Sequence, residues 1–408
     1  MIILYVILII LVLEYVVGEV VDYLNLKHEL KPISPDLAQK FTYSLRKKMH
    51  LYHMANYGTG FFHSLFSLVI ILTLLYSFGF GEIDSFIRKY IENEVLVSIV
   101  FFAVIGFAAS ILSLPWEIFN VFYIENRFGF NRQSAKLFIQ DKIKGLLLTA
   151  LIGGVLLTII TYIYYQLPDH FWWVAWVIFA VFSLFMTMFY SSIIVPLFNK
   201  QKPLEEGSLR NKIEEAAKKA DFKLDNIFVI DGSKRSSKSN AYFTGLGSKK
   251  RIVLYDTLIN DLEEDEIVAV LSHEIGHYKK KHIIINLFTG ILQTGLILFL
   301  FDFIASYDAL YEAIGAEKQS FHLGLLVFGF LFTPLSIIIS LAMSYWSRKA
   351  EYQADGYAAA LGYKEQLKSS LIKLTDKNLS NINPHPTYVF MHYSHPPLNN
   401  RLQNLDKY

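Results

Sequence analysis

The chain has 408 residues, of which 53% are hydrophobic, 15% aromatic and only 18% charged, with a mean hydropathy of +0.35. That balance excludes an ordinary set of two or three soluble domains. A formal net charge of +2 gives no reason to expect a nucleic-acid partner. With no cysteine there can be no disulfide, thiolate metal site or thiol nucleophile, so any metal must be held by histidine and carboxylate.

Seven hydrophobic runs, at roughly 1–21, 62–80, 96–118, 147–165, 171–197, 283–303 and 323–343, are long enough to cross a hydrocarbon core. The first lacks a basic leader and a small-residue cleavage site, and reads as a retained anchor. Segment 22–60 holds six Lys/Arg and the loop after the third run five, whereas 81–95 has two, 166–170 none and 304–322 only Lys318. Rich and poor loops alternate as seven spans require. Positive loops stay cytoplasmic, which predicts an outside amino terminus and a cytoplasmic carboxyl terminus. The expected division is 1–199 for the first five spans, 200–282 for the first polar part, 283–343 for spans six and seven, and 344–408 for the second polar part. Trp172, Trp173 and Tyr164 read as an interfacial aromatic belt. Glu14 and Asp302 lie inside spans, where acids are costly and point to function by default, although neither is a good catalytic candidate.

Within 200–282, Asn226–Ile230 reads as a buried strand. Asn240–Thr244 and Arg251–Tyr255 flank a Gly245-Leu-Gly247-Ser248 turn and suggest a hairpin, so a small antiparallel sheet is expected. A helix follows from Leu262 to Tyr278, with Glu263 to Glu266 at its start and Lys279 to Lys281 at its end, matching the helix dipole. Ile267, Val268, Val270, Leu271 and Ile275 form its apolar stripe.

That helix carries His273-Glu274-Ile275-Gly276-His277. Histidines four apart stack on one face and can bind one metal together, and the intervening glutamate is placed to act as general base. Imidazole nitrogens suit zinc, and a zinc site with an open position is hydrolytic. The bland alternative is an amphipathic helix in which these residues coincide. A third ligand has to come from elsewhere, and no third histidine follows at metzincin spacing. Just past the seventh span, Glu351 and Asp355 share a helical face. One can ligate while the other accepts an imidazole N–H, with Arg348 facing the same way to orient either. Taken alone, this stretch is better read as a solvated Arg–Glu helix pair; its place just past a span, on the same expected side as the histidines, narrows that preference.

Together these motifs resemble the type I CAAX prenyl endopeptidases, a family of integral-membrane zinc metalloproteases. The resemblance includes Leu114-Pro115-Trp116, Gly129-Phe130-Asn131 leading to Asp141–Lys144, Ser239–Tyr242, His273–His277, Glu351–Asp355, Asn383–Pro386 and His392–Pro397. It implies a polytopic α-helical membrane protein whose seven transmembrane helices enclose a hydrated chamber, capped by a zincin-like α+β catalytic domain. It implies one Zn2+ per chain on His273, His277 and Glu351, with Asp355 as the supporting carboxylate. It further implies that Asn240 and Ala241 hold the substrate backbone by strand addition, and that His395 and Arg401 contact substrate and stabilise the oxyanion. The substrate it implies is a peptide or protein, prenylated or membrane-tethered, at the lipid bilayer.

The modest length leans towards a prokaryotic member and a bacterial inner membrane, with the endoplasmic reticulum as the eukaryotic alternative. In a prokaryote, membrane-protein quality control without a prenyl requirement is as plausible as CAAX processing. A seven-span transporter or receptor with an incidental motif is the non-enzymatic alternative. A purely structural zinc site is disfavoured, because three protein ligands leave a coordination position open. His385 and His392 read as structural residues or as supports behind the ligands in preference to ligands themselves.

Overall fold

The structure, a computed structural model, describes residues 1–222, 227–247 and 250–408. Among the described residues, seven helices are long and apolar enough to cross a membrane: α1 (Ile2–His28), α2 (Tyr43–Tyr76), α3 (Glu94–Glu125), α4 (Ala135–Gln166), α5 (Pro168–Phe198), α6 (His282–Ile304) and α7 (Phe321–Ala360). All seven expected spans are present, and several run well past the apolar window. At 1.5 Å per residue, the 40 residues of α7 extend roughly 60 Å, about twice a hydrocarbon core. The apolar run ends near 343, but nothing in Ser344-Tyr-Trp-Ser-Arg-Lys-Ala stops a helix, so it continues into the polar segment. The fully buried residues of α7 fall at its two ends, Phe321 to Phe328 and Ala350 to Ala358, and the stretch between them is half-buried or exposed.

The polar segments form one compact body. Its sheet contains β1 (Gln201–Pro203), β2 (Ile227–Ile230), β3 (Ala241–Thr244) and β4 (Arg251–Tyr255), in the order β1-β2-β4-β3. The expected hairpin forms, with Ala241 opposite Leu254 and Thr244 opposite Arg251. The sheet is mixed, however, because β2 and β4 pair in parallel. The 227–230 run and the hairpin sit too far apart in sequence for local turn chemistry to fix their relative direction. β1 was not foreseen, being three residues with a proline on the edge of the sheet. Asn226 and Ser248, expected in the strand and the turn, lie outside the described residues.

On the sheet pack Ser208–Lys219 and the motif helix Glu264–Lys279. Their core joins Ile213, Ile227, Ile252, Leu254, Leu258, Ile267, Val268 and Leu271. Lys364–Lys377, Pro386–His392 and Leu398–Leu405 close the other side. This body is tied to the lysine-rich ends of the spans. Arg235 donates to both carboxylate oxygens of Asp141 at 2.8 Å each, and Lys238 donates to Tyr52 Oη at 2.9 Å and Glu125 Oε1 at 3.2 Å. The basic segments 22–60 and 119–146 and both polar segments therefore share one side of the spans.

The aromatic belt is only partly as expected. Trp173 is exposed, but Tyr164 and Trp172 pack inward with Phe171, Phe301 and Phe321. Inter-helix packing at the span ends competes with the lipid interface for large rings, and here it wins.

Candidate active site

The motif helix starts at Glu264, two residues after the expected Leu262, because Glu263 serves as its cap: the Glu263 backbone N–H donates to Glu266 Oε2 at 2.9 Å. Glu266 also accepts from Lys373 at 2.8 Å and Ser369 at 2.6 Å, which pins the helix start to Lys364–Lys377. At the other end, Gly276 brings the helix against α7. A Cβ there would stand 3.1 Å from both Ala354 Cα and Ala354 O. A side chain there would press on the α7 backbone, and the close approach lets Glu351 reach the histidines.

Three donor atoms converge. His273 Nε2 lies 3.1 Å from His277 Nε2 and 3.5 Å from Glu351 Oε2, and His277 Nε2 lies 3.2 Å from Glu351 Oε1. Ligands held about 2.0–2.2 Å from a tetrahedral zinc stand roughly 3.3–3.6 Å apart, so the spacing suits that ion. Glu351 is 4% exposed, and its Oε2 is buried without a hydrogen-bond partner. A buried carboxylate whose Oε2 has no hydrogen bond, facing one imidazole nitrogen with each oxygen, is an arrangement that a divalent cation relieves. Donor set and geometry both fit zinc.

Asp355 backs the cluster: its Oδ1 lies 2.9 Å from His273 Nδ1, leaving Nε2 free for the metal. Arg401 is locked to the same carboxylate, Nε to Oδ2 at 2.9 Å and Nη2 to Oδ1 at 2.5 Å, with Nη1 3.5 Å from Glu351 Oε2. His395 Nε2 stands 3.3 Å from Glu351 Oε1 while the ring stays largely exposed. Burial raises the Glu274 carboxyl above the usual carboxylate range, against the opposing pull of His273 and His277. Burial works to lower His273, but hydrogen bonds to Asp355 and Glu351 outweigh it and hold the imidazole up at about 9 in the metal-free protein. A cavity of about 540 Å³ joins Asn240, Ala241, His273, Glu274, His277, Glu351, His395 and Arg401. Ala241 opens β3, the edge strand of the sheet, and Asn240 Oδ1 accepts from its N–H at 2.9 Å.

One expected contact does not form. Arg348 does not reach Glu351 or Asp355. Its Nη1 donates to the carbonyl oxygens of Val389 at 3.1 Å and Tyr393 at 2.6 Å. Those carbonyls belong to the carboxyl end of Pro386–His392, which attracts a cation, and Arg401 already occupies Asp355. Arg348 thus holds the segment leading to His395. His385 caps the same helix, accepting from Thr387 N–H at 3.2 Å, and the His392 ring packs at a tilt on Tyr388 with centroids 4.8 Å apart.

Sequence reasoning missed the supports of the edge strand. Ser239 Oγ donates to Asp261 Oδ2 at 2.5 Å, and its N–H donates to Asn378 Oδ1 at 3.2 Å. It also missed His282, which follows His277 by five residues and bonds it at 3.0 Å. The histidine itself was visible, but five residues is not a helical contact spacing.

Comparison with known proteins agrees with this geometry. Residues 22–200 match the CAAX prenyl protease N-terminal family, with five membrane helices, and residues 203–408 match peptidase family M48. CAAX prenyl protease 1 of Saccharomyces cerevisiae is 42% identical over 337 residues, covering 78% of this chain and 74% of that protein. The human CAAX prenyl protease 1 homolog is 34% identical over 420 residues, covering 91% and 88%. The crystal structure of S. mikatae Ste24p superposes with a TM-score of 0.92 at 37% identity, covering 99% of each chain. These relatives are eukaryotic and give the prokaryotic expectation no support. Near-complete coverage of a yeast chain removes the inference drawn from length. The chain belongs to the CAAX prenyl protease family of M48 peptidases and is a multi-pass membrane zinc metallopeptidase.

Proposed function

We propose that this protein cleaves extended peptide segments of prenylated, membrane-tethered proteins, at the cytoplasmic face of the endoplasmic reticulum membrane. The observation that carries the reading is the placement of edge strand β3 beside the His273–His277–Glu351 cluster in one cavity, reached by helices that cross the membrane. The relatives' names supply the substrate class, their eukaryotic sources the compartment, and the shared side of the basic segments the orientation. The polar groups along α1 and α2 that line a cavity favour a hydrated chamber between the spans.

Bound at His273, His277 and Glu351, zinc supplies Lewis acidity that acidifies water and polarises a carbonyl. The chain's own groups do the rest. A substrate strand adds to β3 through backbone hydrogen bonds next to Asn240 and Ala241. Glu274, its carboxylate made more basic by burial, takes a proton from the attacking water and delivers it to the leaving amine. Arg401 and His395 offer donors to the oxyanion that develops, and Asp355 fixes both Arg401 and the His273 tautomer. The test is cleavage of matched prenylated and unprenylated CAAX peptides by the purified protein. Selective loss of the terminal tripeptide from the prenylated peptide is expected, whereas equal cleavage of both would remove the prenyl requirement and favour quality control.

A further inference from the structure

His282 opens α6 and is 2% exposed, yet the reading above gives it no role. Its Nδ1 lies 3.0 Å from His277 Nδ1, and its Nε2 lies 2.9 Å from Gln353 Oε1. Once His277 Nε2 is given to zinc, these contacts admit one proton arrangement. A metal-bearing Nε2 holds no proton, so the neutral His277 ring carries it on Nδ1 and donates to His282. His282 Nδ1 accepts, its own proton sits on Nε2, and that N–H donates to the amide oxygen of Gln353.

The backbone is shaped to make this contact. On an unbroken helix, five residues turn through about 500°, which would leave His282 roughly 140° away from His277 around the axis. The motif helix stops at Lys279 instead, and Lys281 adopts φ 62°, a left-handed conformation unusual for a residue with a Cβ. The turn folds His282 back over His277. The edge of Trp346 closes the site beyond it, 6.1 Å between centroids, and the Trp346 indole donates to Asn286 Oδ1 at 3.2 Å. An outlying backbone conformation that creates one buried side-chain contact is strain with an identifiable purpose.

We propose that His282 is a positioning residue that fixes the tautomer and ring orientation of His277 and thereby sets the chain's affinity for zinc, with Gln353 fixing His282 in turn. The proposal rests on His277 holding zinc through Nε2. It also makes the two ligands unequal, since His273 leans on an anionic carboxylate and His277 on a neutral ring.

The experiment is zinc competition against a chromophoric chelator on the purified full-length protein, paired with thermal unfolding of the zinc-free form. His282→Phe keeps an aromatic ring but offers no acceptor, and should weaken zinc binding by about 10–100-fold with the zinc-free Tm unchanged. His282→Asn, whose amide oxygen can accept, should recover part of that loss, and Gln353→Leu should lose less than His282→Phe. An unchanged affinity in His282→Phe overturns the proposal, as do equal losses in both His282 variants that follow a lowered zinc-free Tm. A wild-type protein without stoichiometric zinc would instead overturn the zinc reading beneath it.

Discussion

Helix α7 carries a histidine–carboxylate cluster at each end, and the two behave differently. At its start, His322 Nε2 lies 2.7 Å from Asp84 Oδ1 and Nδ1 lies 2.9 Å from Ser98 Oγ, an Asp–His–Ser series with the partners of a hydrolytic triad. Ser98 and His322 are 0% exposed, so no substrate can reach the hydroxyl, which also bonds the Glu94 carbonyl oxygen. Arg88 holds the second oxygen of Asp84 at 2.8 Å and also binds Glu94, with its Nη2 buried without a hydrogen bond. Near the other end, Asp355 and His273 make a similar pair, but Glu351 joins two imidazole nitrogens in a convergent ligand set and a cavity opens onto the cluster. Residue types do not separate a structural clamp from a reactive centre. Access and a set of convergent ligand atoms do.

The sharpest way to break this comparison is Glu274→Gln, which should lower turnover by roughly 10³-fold or more with zinc retained, because general-base catalysis is removed without touching a ligand. Peptide cleavage alongside metal content checks it, and near-normal cleavage would exclude Glu274 as base. Next in size is the opposite end: Asp84→Ala leaves His322 buried without its carboxylate and Arg88 with Glu94 alone, and should destabilise the fold by about 3–5 kcal/mol. Zinc affinity should hold in that variant, as thermal unfolding and chelator competition would show. Asp355→Asn should weaken zinc by about 10–100-fold, since the acceptor for the His273 N–H becomes neutral and Arg401 loses its anion.

Smaller effects sharpen the picture. Gly276→Ala presses a methyl onto Ala354 and should push Glu351 away from the histidines, giving a several-fold weaker zinc site with little loss of secondary structure by circular dichroism. In the zinc-free protein, the raised imidazole of His273 contributes stability that is complete below the unfolded value of about 6.5 and is lost as pH rises through about 9. Zinc must displace that proton, so affinity should climb between those values, and a pH series of chelator competitions that stays flat would contradict the assignment.

Much of this was legible in sequence because the signals are local. Apolar runs set the seven spans, and four-residue spacing put His273 and His277 on one face. The remainder depends on geometry that no spacing encodes. The end of the apolar run at 343 hid the fact that one helix carries both the seventh span and Glu351. The face shared by Arg348, Glu351 and Asp355 predicted a contact, but long arginine side chains go to whichever acceptors are unsatisfied, here the carbonyls of Val389 and Tyr393. His282 was concealed by the left-handed turn at Lys281, which brings together residues that helical periodicity would keep apart.

The central claim is that a motif helix and the far end of a membrane helix close one zinc site. Elemental analysis of the purified Glu351→Ala protein beside wild type tests it most directly. One zinc per wild-type chain and a variant that loses the metal on dialysis is the predicted result; a Glu351→Ala protein that keeps a full equivalent would contradict it.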